Sequence, residues 1–304
     1  MSFSSERRNF SGKFFASVSF GCDSTAMLLM LIEKKYPLDE VVFYNIGVEF
    51  EAIYHVRDML VPYIQSNGIQ FTELRPEKPF FWNMLERPVC KRGTNIIHQY
   101  GYSWCGGTCR WGTSMKLTAL KKHTKNGWDY VGLAANETYR FHRENRPNRL
   151  LPLNDWGVTE KDALDYCYSM GIQWEENGIP LYEILDRVSC WCCGNKNLKE
   201  LRNIYLYMPQ YWERLKLLQE KTNYPFRRNE KQTIHDLERR FKQEIQAPTL
   251  FPTPISTDKG NPAPHCPARS SPSGFQKNLR ASLRSGSIFP KNLAGQDAGL
   301  SVVR

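Results

Sequence analysis

The chain has 304 residues, of which 41% are hydrophobic and 24% are charged, and its formal net charge is +10. These apolar residues suffice for a buried core, which excludes a wholly disordered chain and a small disulfide-stapled domain. The longest apolar run, near residues 26–32, is far shorter than the roughly 20 residues that cross a bilayer, and the first residues lack the apolar core of a signal peptide. We therefore expect a cytoplasmic protein with no membrane partner.

The positive charge is unevenly placed along the chain. Residues 247–304 carry seven Lys or Arg and two Asp or Glu, so the first 246 residues carry only +5 of the total +10. A balance of +5 on a body of that size is typical of a solvated surface. A nucleic-acid partner therefore stays an alternative that the net charge does not select.

The body of the chain alternates predicted strands with predicted helices. Apolar runs predict strands at residues 14–19, 40–46, 69–74 and 129–134. Helical spacing predicts helices at 24–35, 52–65 with a kink or break at Pro62, 113–123, 159–170 with Thr159 as its cap, and 197–222 in two pieces around Pro209. This alternation predicts an α/β fold, a Rossmann-like three-layer sandwich with a mostly parallel sheet. Residues 247–304, rich in Pro, Ser and Gly, are predicted to be a disordered tail.

A short polar loop follows the first predicted strand. It reads SFGCDST over residues 19–25 and leads into the first predicted helix. Glycine lets a ligand approach the backbone closely, and hydroxyls and unpaired N–H groups at a helix start bind anions. The loop therefore predicts phosphate binding, although a plain capped helix start would show the same pattern. The candidate contacts are Ser19, Gly21, Asp23, Ser24 and Thr25.

This loop resembles the pyrophosphate loop S-G-G-x-D-S of the adenine-nucleotide alpha-hydrolase (PP-loop) superfamily. Its S-F-G start is closest to the branch of the phosphoadenosine phosphosulfate (PAPS) reductases. Phe20 stands where the superfamily has glycine, and Cys22 stands where sulfurylase-like members often have lysine. A thiol does not bring the cation that lysine offers to a phosphate. The resemblance thus implies nucleotide binding and leaves ATP cleavage open.

Four later segments resemble the same family in the same order. They are residues 45–50 (NIGVEF), 132–140 (GLAANETYR), 151–156 (LPLNDW) and 180–191. The resemblance implies that Gly47, Glu49 and Arg140 also bind the nucleotide, and a guanidinium suits a phosphate or sulfate. It further implies an adenine-nucleotide-binding α/β domain over residues 1–194, which a helical segment at 195–246 and the tail would follow.

Five of the nine cysteines fall in two short runs. Cys105 and Cys109 flank a stretch with two glycines, and Cys190 and Cys193 form a C-x-x-C pair around Cys192. Thiolates are soft ligands that suit zinc and iron–sulfur clusters, and loops of a folded sheet bring distant pairs together. We therefore predict one metal site with Cys105, Cys109, Cys190 and Cys193 as ligands, with scattered buried thiols as the alternative reading.

The resemblance favours a 4Fe–4S cluster at this site, with structural zinc as the alternative. Family members with such a cluster carry an adjacent Cys-Cys pair and a C-x-x-C pair far downstream, and this chain departs from them in its first pair. PAPS reductases also carry an E-C-G-L-H segment whose cysteine attacks the sulfonucleotide, and no such segment occurs here. Cys266 lies in the predicted tail and is not assigned that role.

Three functions fit these residues. The first is a PAPS reductase-like oxidoreductase that binds an adenine nucleotide, ATP or PAPS, and takes electrons from a donor such as thioredoxin. The second is an ATP-dependent enzyme that adenylates a nucleic acid and transfers sulfur to it. The missing E-C-G-L-H segment favours this function, and the absent loop lysine opposes it. The third is a non-catalytic nucleotide-binding subunit with structural zinc, which the departures at Phe20, Cys22, Ile46 and Asn136 favour. No catalytic residue is assigned.

Overall fold

The computed structural model describes residues 12–105, 107–141 and 148–246. The predicted tail at 247–304, with Cys266, lies outside these ranges. None of the helices in the described part of the chain is both long enough and apolar enough to cross a membrane.

The strands are short and mostly buried. In chain order they are β1 (Lys13–Ser17), β2 (Glu40–Tyr44), β3 (Gln70–Leu74), β4 (Pro88–Cys90), β5 (Ile97–Tyr100), β6 (Gly127–Val131), β7 (Arg149–Leu150), β8 (Glu175–Glu176) and β9 (Ile179–Pro180). Five of them form one sheet in the order β3-β2-β1-β6-β7, and all of its pairings are parallel. Every residue of β2 is buried, so both faces of the sheet are covered. The predicted three-layer α/β fold with a parallel sheet is confirmed.

The helices follow the strands. In chain order they are α1 (Cys22–Glu33), α2 (Glu51–Ser66), α3 (Met115–His123), α4 (Thr138–Phe141), α5 (Pro152–Asp155), α6 (Glu160–Ser169), α7 (Leu181–Ile184), α8 (Leu198–Tyr207), α9 (Pro209–Glu220) and α10 (Ile234–Gln246). Two π-helical turns, Trp82–Glu86 and Arg110–Ser114, complete the set. Helix α1 packs against α5 and α6, which accounts for one face of the sheet.

The strand order reverses at β1, and this reversal positions the site. Strand β1 pairs with β2 on one side and with β6 on the other, so the loops after β1 and β6 leave the same edge side by side. Ligands of parallel sheets bind at the carboxyl ends of the strands where the order reverses. The phosphate loop predicted at residues 19–25 lies at this point.

Most predicted elements are found, with shifted ends. Helix α6 begins with the predicted Thr159 cap, whose side chain accepts from the backbone N–H of Asp162. The break between α8 and α9 falls at Pro209, as predicted. The break predicted at Pro62 is wrong, since α2 runs through it and buried side chains on both sides, from Ala52 to Ile64, hold the helix against the sheet. The sequence did not predict the antiparallel β4–β5 hairpin or the two π-helical turns.

Helices α8, α9 and α10 form a small aromatic cluster of their own. The Trp212 ring centroid lies 5.3 Å from that of Tyr205 and 5.8 Å from that of Phe241. Tyr211 also packs edge-on against Phe50, at 4.9 Å, so these helices rest on the loop that follows β2. The domain boundary at residue 194 stays a prediction.

Candidate functional site

The loop after β1 turns at Phe20, which has a φ of +58°. This left-handed conformation favours glycine and strains a residue with a Cβ atom. The Phe20 ring is fully buried and packs edge-on against Phe43, with 5.2 Å between centroids. The indole N–H of Trp174 donates to the Phe20 carbonyl over 2.7 Å. Burial of the ring offsets the strain, so the turn is kept with phenylalanine at this position.

The turn places two serines at the first turn of α1. The Ser24 hydroxyl lies 3.0 Å from the Ser19 hydroxyl and accepts from the Ser19 backbone N–H at 3.1 Å. Gly21 precedes the helix in an extended conformation, and no side chain caps the helix start. The Cys22 backbone N–H donates to the Tyr182 hydroxyl over 2.8 Å. The positive end of α1 thus faces a cavity, which is the arrangement that binds phosphate.

The loop after β6 packs directly on this helix start at Gly132. A Cβ atom on Gly132 would lie 2.8 Å from Ser24 Cα and 2.9 Å from Ser24 N, so only glycine fits. This close approach brings the next residues of the loop, Glu137 and Arg140, beside α1. The Glu137 carboxylate accepts from Arg140 over 2.6 Å. The segment 132–140 and the start of α1 are therefore in direct contact.

Three carboxylates meet at the helix start. Oxygen atoms of Asp23, Glu137 and Glu160 lie within 4.8 Å of one another. Glu137 is buried, and its Oε2 has no hydrogen-bond partner within the described ranges. Burial, with Glu137 and Glu160 nearby, raises the pKa of Asp23 to about 6. Like charges this close are stable only with a proton or a cation, and three carboxylate oxygens suit Mg²⁺.

These groups line a cavity of about 470 Å³, called here the nucleotide cavity. Ser19, Gly21, Asp23 and Ser24 form one wall, and their binding of a nucleotide stays a prediction. Arg140, Lys161, Arg187 and Lys199 add positive charge around the carboxylates. The predicted contact Thr25 is fully buried and does not line the cavity.

A second cavity, of about 610 Å³, adjoins the first and is called here the cysteine cavity. Arg140, Asp186, Arg187 and Ser189 line both cavities. The cysteine cavity is lined by all five clustered cysteines: Cys105, Cys109, Cys190, Cys192 and Cys193. The eight cysteines in the described ranges are all reduced. The structure therefore brings the two predicted pairs to one site and adds Cys192.

Backbone contacts hold the two cysteine runs together. A Cβ atom on Gly194 would lie 2.1 Å from the Cys105 carbonyl oxygen, so this position requires glycine. The Asn195 side chain accepts from the Gly107 backbone N–H at 3.1 Å and donates to the Gly107 carbonyl at 2.7 Å. One asparagine thus joins the two loops.

Glu49 lines the cysteine cavity. It does not line the nucleotide cavity, where the resemblance implied that it would bind the nucleotide. Glu49 forms an isolated antiparallel bridge with Cys190. Burial raises the pKa of Glu49, while Lys116 and Lys196 oppose that rise. Gly47, the other predicted contact from this segment, turns with a φ of +80° and lines neither cavity.

Cys109 lies at the start of the π-helical turn that leads into α3. Its sulfur accepts from the Gly112 backbone N–H over 3.2 Å. A hydrogen bond from the Cys105 thiol and the backbone N–H groups of residues 111–113 lower the pKa of Cys109 to about 6, and burial opposes them. These hydrogen bonds favour the thiolate at Cys109, and the thiolate is the form that binds metals.

Three buried side chains with hydrogen-bond donors indicate whether a sulfur-rich group fits this cavity. Trp104, Trp111 and Lys196 line it, and in the described ranges their side-chain nitrogens have no hydrogen-bond partner. The Lys196 ammonium lies 3.9 Å from the Glu200 carboxylate, in an ion pair. All three side chains are at least 94% buried. Buried donors without acceptors are costly, whereas the sulfur atoms of an anionic cluster would accept from them. The donor set fits an iron–sulfur cluster held by four of the five cysteines.

The sulfur spacing gives a second test. In the described part of the chain, no three cysteine sulfurs lie within 4.8 Å of one another, since the one such group of metal-ligating residues is the carboxylate trio. Tetrahedral zinc holds its thiolate sulfurs about 3.8 Å apart, because each Zn–S bond is ~2.3 Å. Cys105 and Cys109 are within hydrogen-bond distance of each other, but no third cysteine sulfur in the described ranges joins them at the spacing of a preformed zinc site.

Sequence reasoning missed several residues of both cavities. Glu137 lay inside a segment already singled out, and its acidic character was the signal. Glu160 and Lys196 gave no signal, because a charged residue at a helix start or in a loop is ordinary. Trp104 and Trp111 flank the first cysteine run, and their position there was the only cue.

These features define the class of the protein as an α/β protein with an anion-binding loop at the switch point of a parallel sheet, beside a cysteine-lined cavity. No protein-family model matches the chain. An uncharacterized protein of Methanocaldococcus jannaschii is 25% identical over an alignment of 224 positions that covers 64% of this chain and 39% of that protein. The chain thus spans about two fifths of the length of this relative.

Among solved structures, the chain is similar to the U34-tRNA thiolase NcsA from Methanococcus maripaludis, determined with its 4Fe–4S cluster. The alignment covers 76% of this chain and 72% of that one, with 15% identity and a TM-score of 0.37. A likeness of this size carries no argument about function.

Proposed function

We propose that this protein is a PP-loop enzyme that binds Mg²⁺ and ATP in the nucleotide cavity and acts in sulfur transfer beside a cysteine-bound iron–sulfur cluster. One observation carries the choice of ATP with a divalent cation. The carboxylates of Asp23, Glu137 and Glu160 stand at the anion-binding start of α1. They would repel a bare phosphate, whereas Mg²⁺ bridges carboxylates and phosphates in one site.

Each group in the nucleotide cavity then has a role. The Ser19 and Ser24 hydroxyls and the backbone N–H groups of α1 would hold the phosphates. The Arg140 guanidinium, held by Glu137, would stabilise negative charge as an acceptor oxygen attacks the α-phosphorus and pyrophosphate departs. The absent loop lysine is offset by Arg140 and Arg187, whose side chains line the boundary between the two cavities.

In the cysteine cavity, Cys105, Cys109, Cys190 and Cys193 are the proposed ligands, with Cys192 close enough to replace one of them. A bound cluster would supply iron–sulfur chemistry at the boundary with the nucleotide cavity. Lys196 and Lys116 would balance the negative charge of the thiolates. Trp104 and Trp111 would exclude water and donate to sulfur.

The second candidate is the PAPS reductase-like oxidoreductase with a thioredoxin-like donor. Four cationic side chains around the nucleotide cavity favour it, since PAPS carries a phosphosulfate and an additional phosphate. The carboxylate trio disfavours it, because it places negative charge beside those anions.

The test combines metal content with turnover. We expect protein purified without oxygen to contain about four iron atoms per chain and no zinc. We expect it to release pyrophosphate from ATP only with Mg²⁺ and an acceptor, and to release no sulfite from PAPS with thioredoxin. One zinc per chain with neither activity would instead indicate a non-catalytic subunit.

The nucleotide assignment has its own control. Ser24→Ala should weaken Mg²⁺·ATP binding about tenfold, the loss of one charge-assisted hydrogen bond, and should keep the full metal content. Unchanged affinity in Ser24→Ala would contradict the loop assignment.

A further inference from the structure

We infer that the acceptor is a single-stranded nucleic acid, and that it reaches the cysteine cavity past the β4–β5 hairpin rather than through the nucleotide cavity. A third cavity, of about 460 Å³, lies between residues 226–230 and the cysteine loops and is called here the acceptor cavity. It shares Trp104, Cys105, Gly194 and Asn195 with the cysteine cavity and shares no residue with the nucleotide cavity. The three cavities thus adjoin in a row with the cysteines in the middle.

The segment of the chain that contains the β4–β5 hairpin and the first cysteine run is strongly positive. Residues 87–128 contain eight Lys or Arg and no Asp or Glu. The first 246 residues carry a net charge of +5. Those of them that lie outside 87–128 therefore carry a net −3. The charge is therefore concentrated in one segment that contains the β4–β5 hairpin and the first cysteine run, a distribution the net value conceals. Arg87, Lys91 and Arg92 are the cations of this segment that lie at the hairpin, and there they attract a polyanion.

The hairpin also exposes apolar side chains next to those charges. Ile96, Ile97 and Tyr100 are 61%, 45% and 67% exposed, and the neighbouring turn tip carries the exposed Lys91 and Arg92. Exposed aromatic and apolar side chains among cations provide faces on which unpaired bases stack. A duplex hides those faces, so this surface favours a single strand.

A chain of contacts joins the hairpin to the acceptor cavity. The Tyr224 hydroxyl donates to the Gln99 side chain on β5 over 2.9 Å. The Arg228 guanidinium lies 5.4 Å from the centre of the Tyr224 ring and donates to the Trp104 carbonyl at 3.0 Å. Both Tyr224 and Arg228 are exposed. A strand lying on the hairpin would therefore continue over Tyr224 and Arg228 to the cavity whose inner wall includes Cys105.

This inference names the acceptor for the proposed function and depends on it for the chemistry, but binding itself is testable without ATP. The probes are fluorescein-labelled single-stranded 20-mers of RNA and of DNA, titrated with the full chain and followed by anisotropy at several salt concentrations. We expect Lys91→Glu/Arg92→Glu to weaken binding at least tenfold and to reduce the salt dependence, because two phosphate contacts are lost. Tyr100→Ala should weaken binding about fivefold or more without changing the salt dependence.

The matched control is Lys121→Glu/Lys122→Glu. It makes the same charge change within the same basic segment, at the exposed far end of α3, about 10 Å from the first residue of that helix. We expect less than a twofold effect there. Three results would each overturn the inference. They are equal losses of oligonucleotide affinity in the two double variants, tighter binding of duplex than of single strand, and displacement of the probe by poly-glutamate as effectively as by an unlabelled oligonucleotide.

The two proposals fail separately. Ser24→Ala should keep full oligonucleotide affinity, since Ser24 lies in the nucleotide cavity. Oligonucleotide binding without ATP-dependent pyrophosphate release would contradict the proposed function alone. ATP turnover with an acceptor, combined with no oligonucleotide binding, would contradict this inference alone.

Discussion

The nucleotide cavity and the cysteine cavity adjoin, yet they are built differently. The nucleotide cavity is formed by the ends of regular elements: the start of α1, the loop after β6 and the start of α6. The cysteine cavity is formed by loops, a π-helical turn and one isolated bridge, with Asn195 joining its two halves. The fold alone therefore preforms the nucleotide cavity, whereas a bound group would add much of the cohesion of the cysteine cavity.

The largest effect that separates the two cavities is loss of metal. Cys109→Ser and Cys193→Ser should each lower the iron content from about four atoms per chain to below one, because a cluster needs each thiolate ligand. Mg²⁺·ATP affinity should stay within a factor of two or three, since neither residue lines the nucleotide cavity. Iron analysis and nucleotide titration measure both. Cys90→Ser, an exposed position on the hairpin, is the control and should keep its iron.

The second largest effect concerns the turn between β1 and α1, which forms part of the nucleotide cavity. Phe20→Ala should lower the free energy of unfolding by about 3–5 kcal/mol, since it removes a fully buried ring and leaves a left-handed residue with a Cβ atom. Urea unfolding measures the change. Tyr207→Ala, at a half-exposed position on α8, should cost less than about 1 kcal/mol. If both variants lost a similar amount of unfolding free energy, the β1–α1 turn would not depend specially on the Phe20 ring.

A smaller effect tests the carboxylates through pH. The pKa of Asp23 rises from 3.8 to about 6, mainly through burial, so the folded state holds its proton more tightly than the unfolded state. The stability that this proton supplies is complete below pH ~4 and is lost as pH rises through ~6. Asp23→Asn should therefore raise the free energy of unfolding by about 1–2 kcal/mol at pH 7 and leave it unchanged near pH 4.

Unfolding curves in metal-free buffer at the two pH values measure this difference. Asp165→Asn, an exposed carboxylate on α6, should show no comparable pH dependence. A gain at pH 4 equal to that at pH 7 would mean that charge at Asp23 is not the cause.

The smallest effect compares two helix caps. Thr159 begins α6 at the nucleotide cavity, and Asn197 begins α8 at the cysteine cavity, each in a reciprocal capping box. Thr159→Ala and Asn197→Ala should each lower the free energy of unfolding by about 1 kcal/mol. Only Thr159→Ala should also weaken Mg²⁺·ATP binding, because Glu160 is the next residue. Equal nucleotide affinity in the two variants would exclude a contribution of Glu160.

The regular part of the molecule was predictable because its signals are local. Apolar runs identified β1, β2, β3 and β6, and a polar residue before a periodic stretch identified the Thr159 cap. The hairpin at Pro88–Tyr100 was not predicted, because its residues are mostly exposed and do not alternate between apolar and polar. Helix α1 starts at Cys22, two residues earlier than predicted. This start depends on the backbone turn at Phe20, and a phenylalanine in the sequence does not indicate such a turn.

The sequence by itself determined the alternation of strands and helices, the anion-binding loop after β1 and the two cysteine runs, since each is carried by neighbouring residues. Only the tertiary structure decided that Glu49 joins the cysteines, that Thr25 is buried, and that Glu137 and Glu160 meet Asp23. It also decided that Lys196, Trp104 and Trp111, whose side-chain nitrogens make no hydrogen bond within the described ranges, line the cysteine cavity. Those residues are far apart in the chain, and the order of strands in the sheet, which no local pattern encodes, is what brings them together.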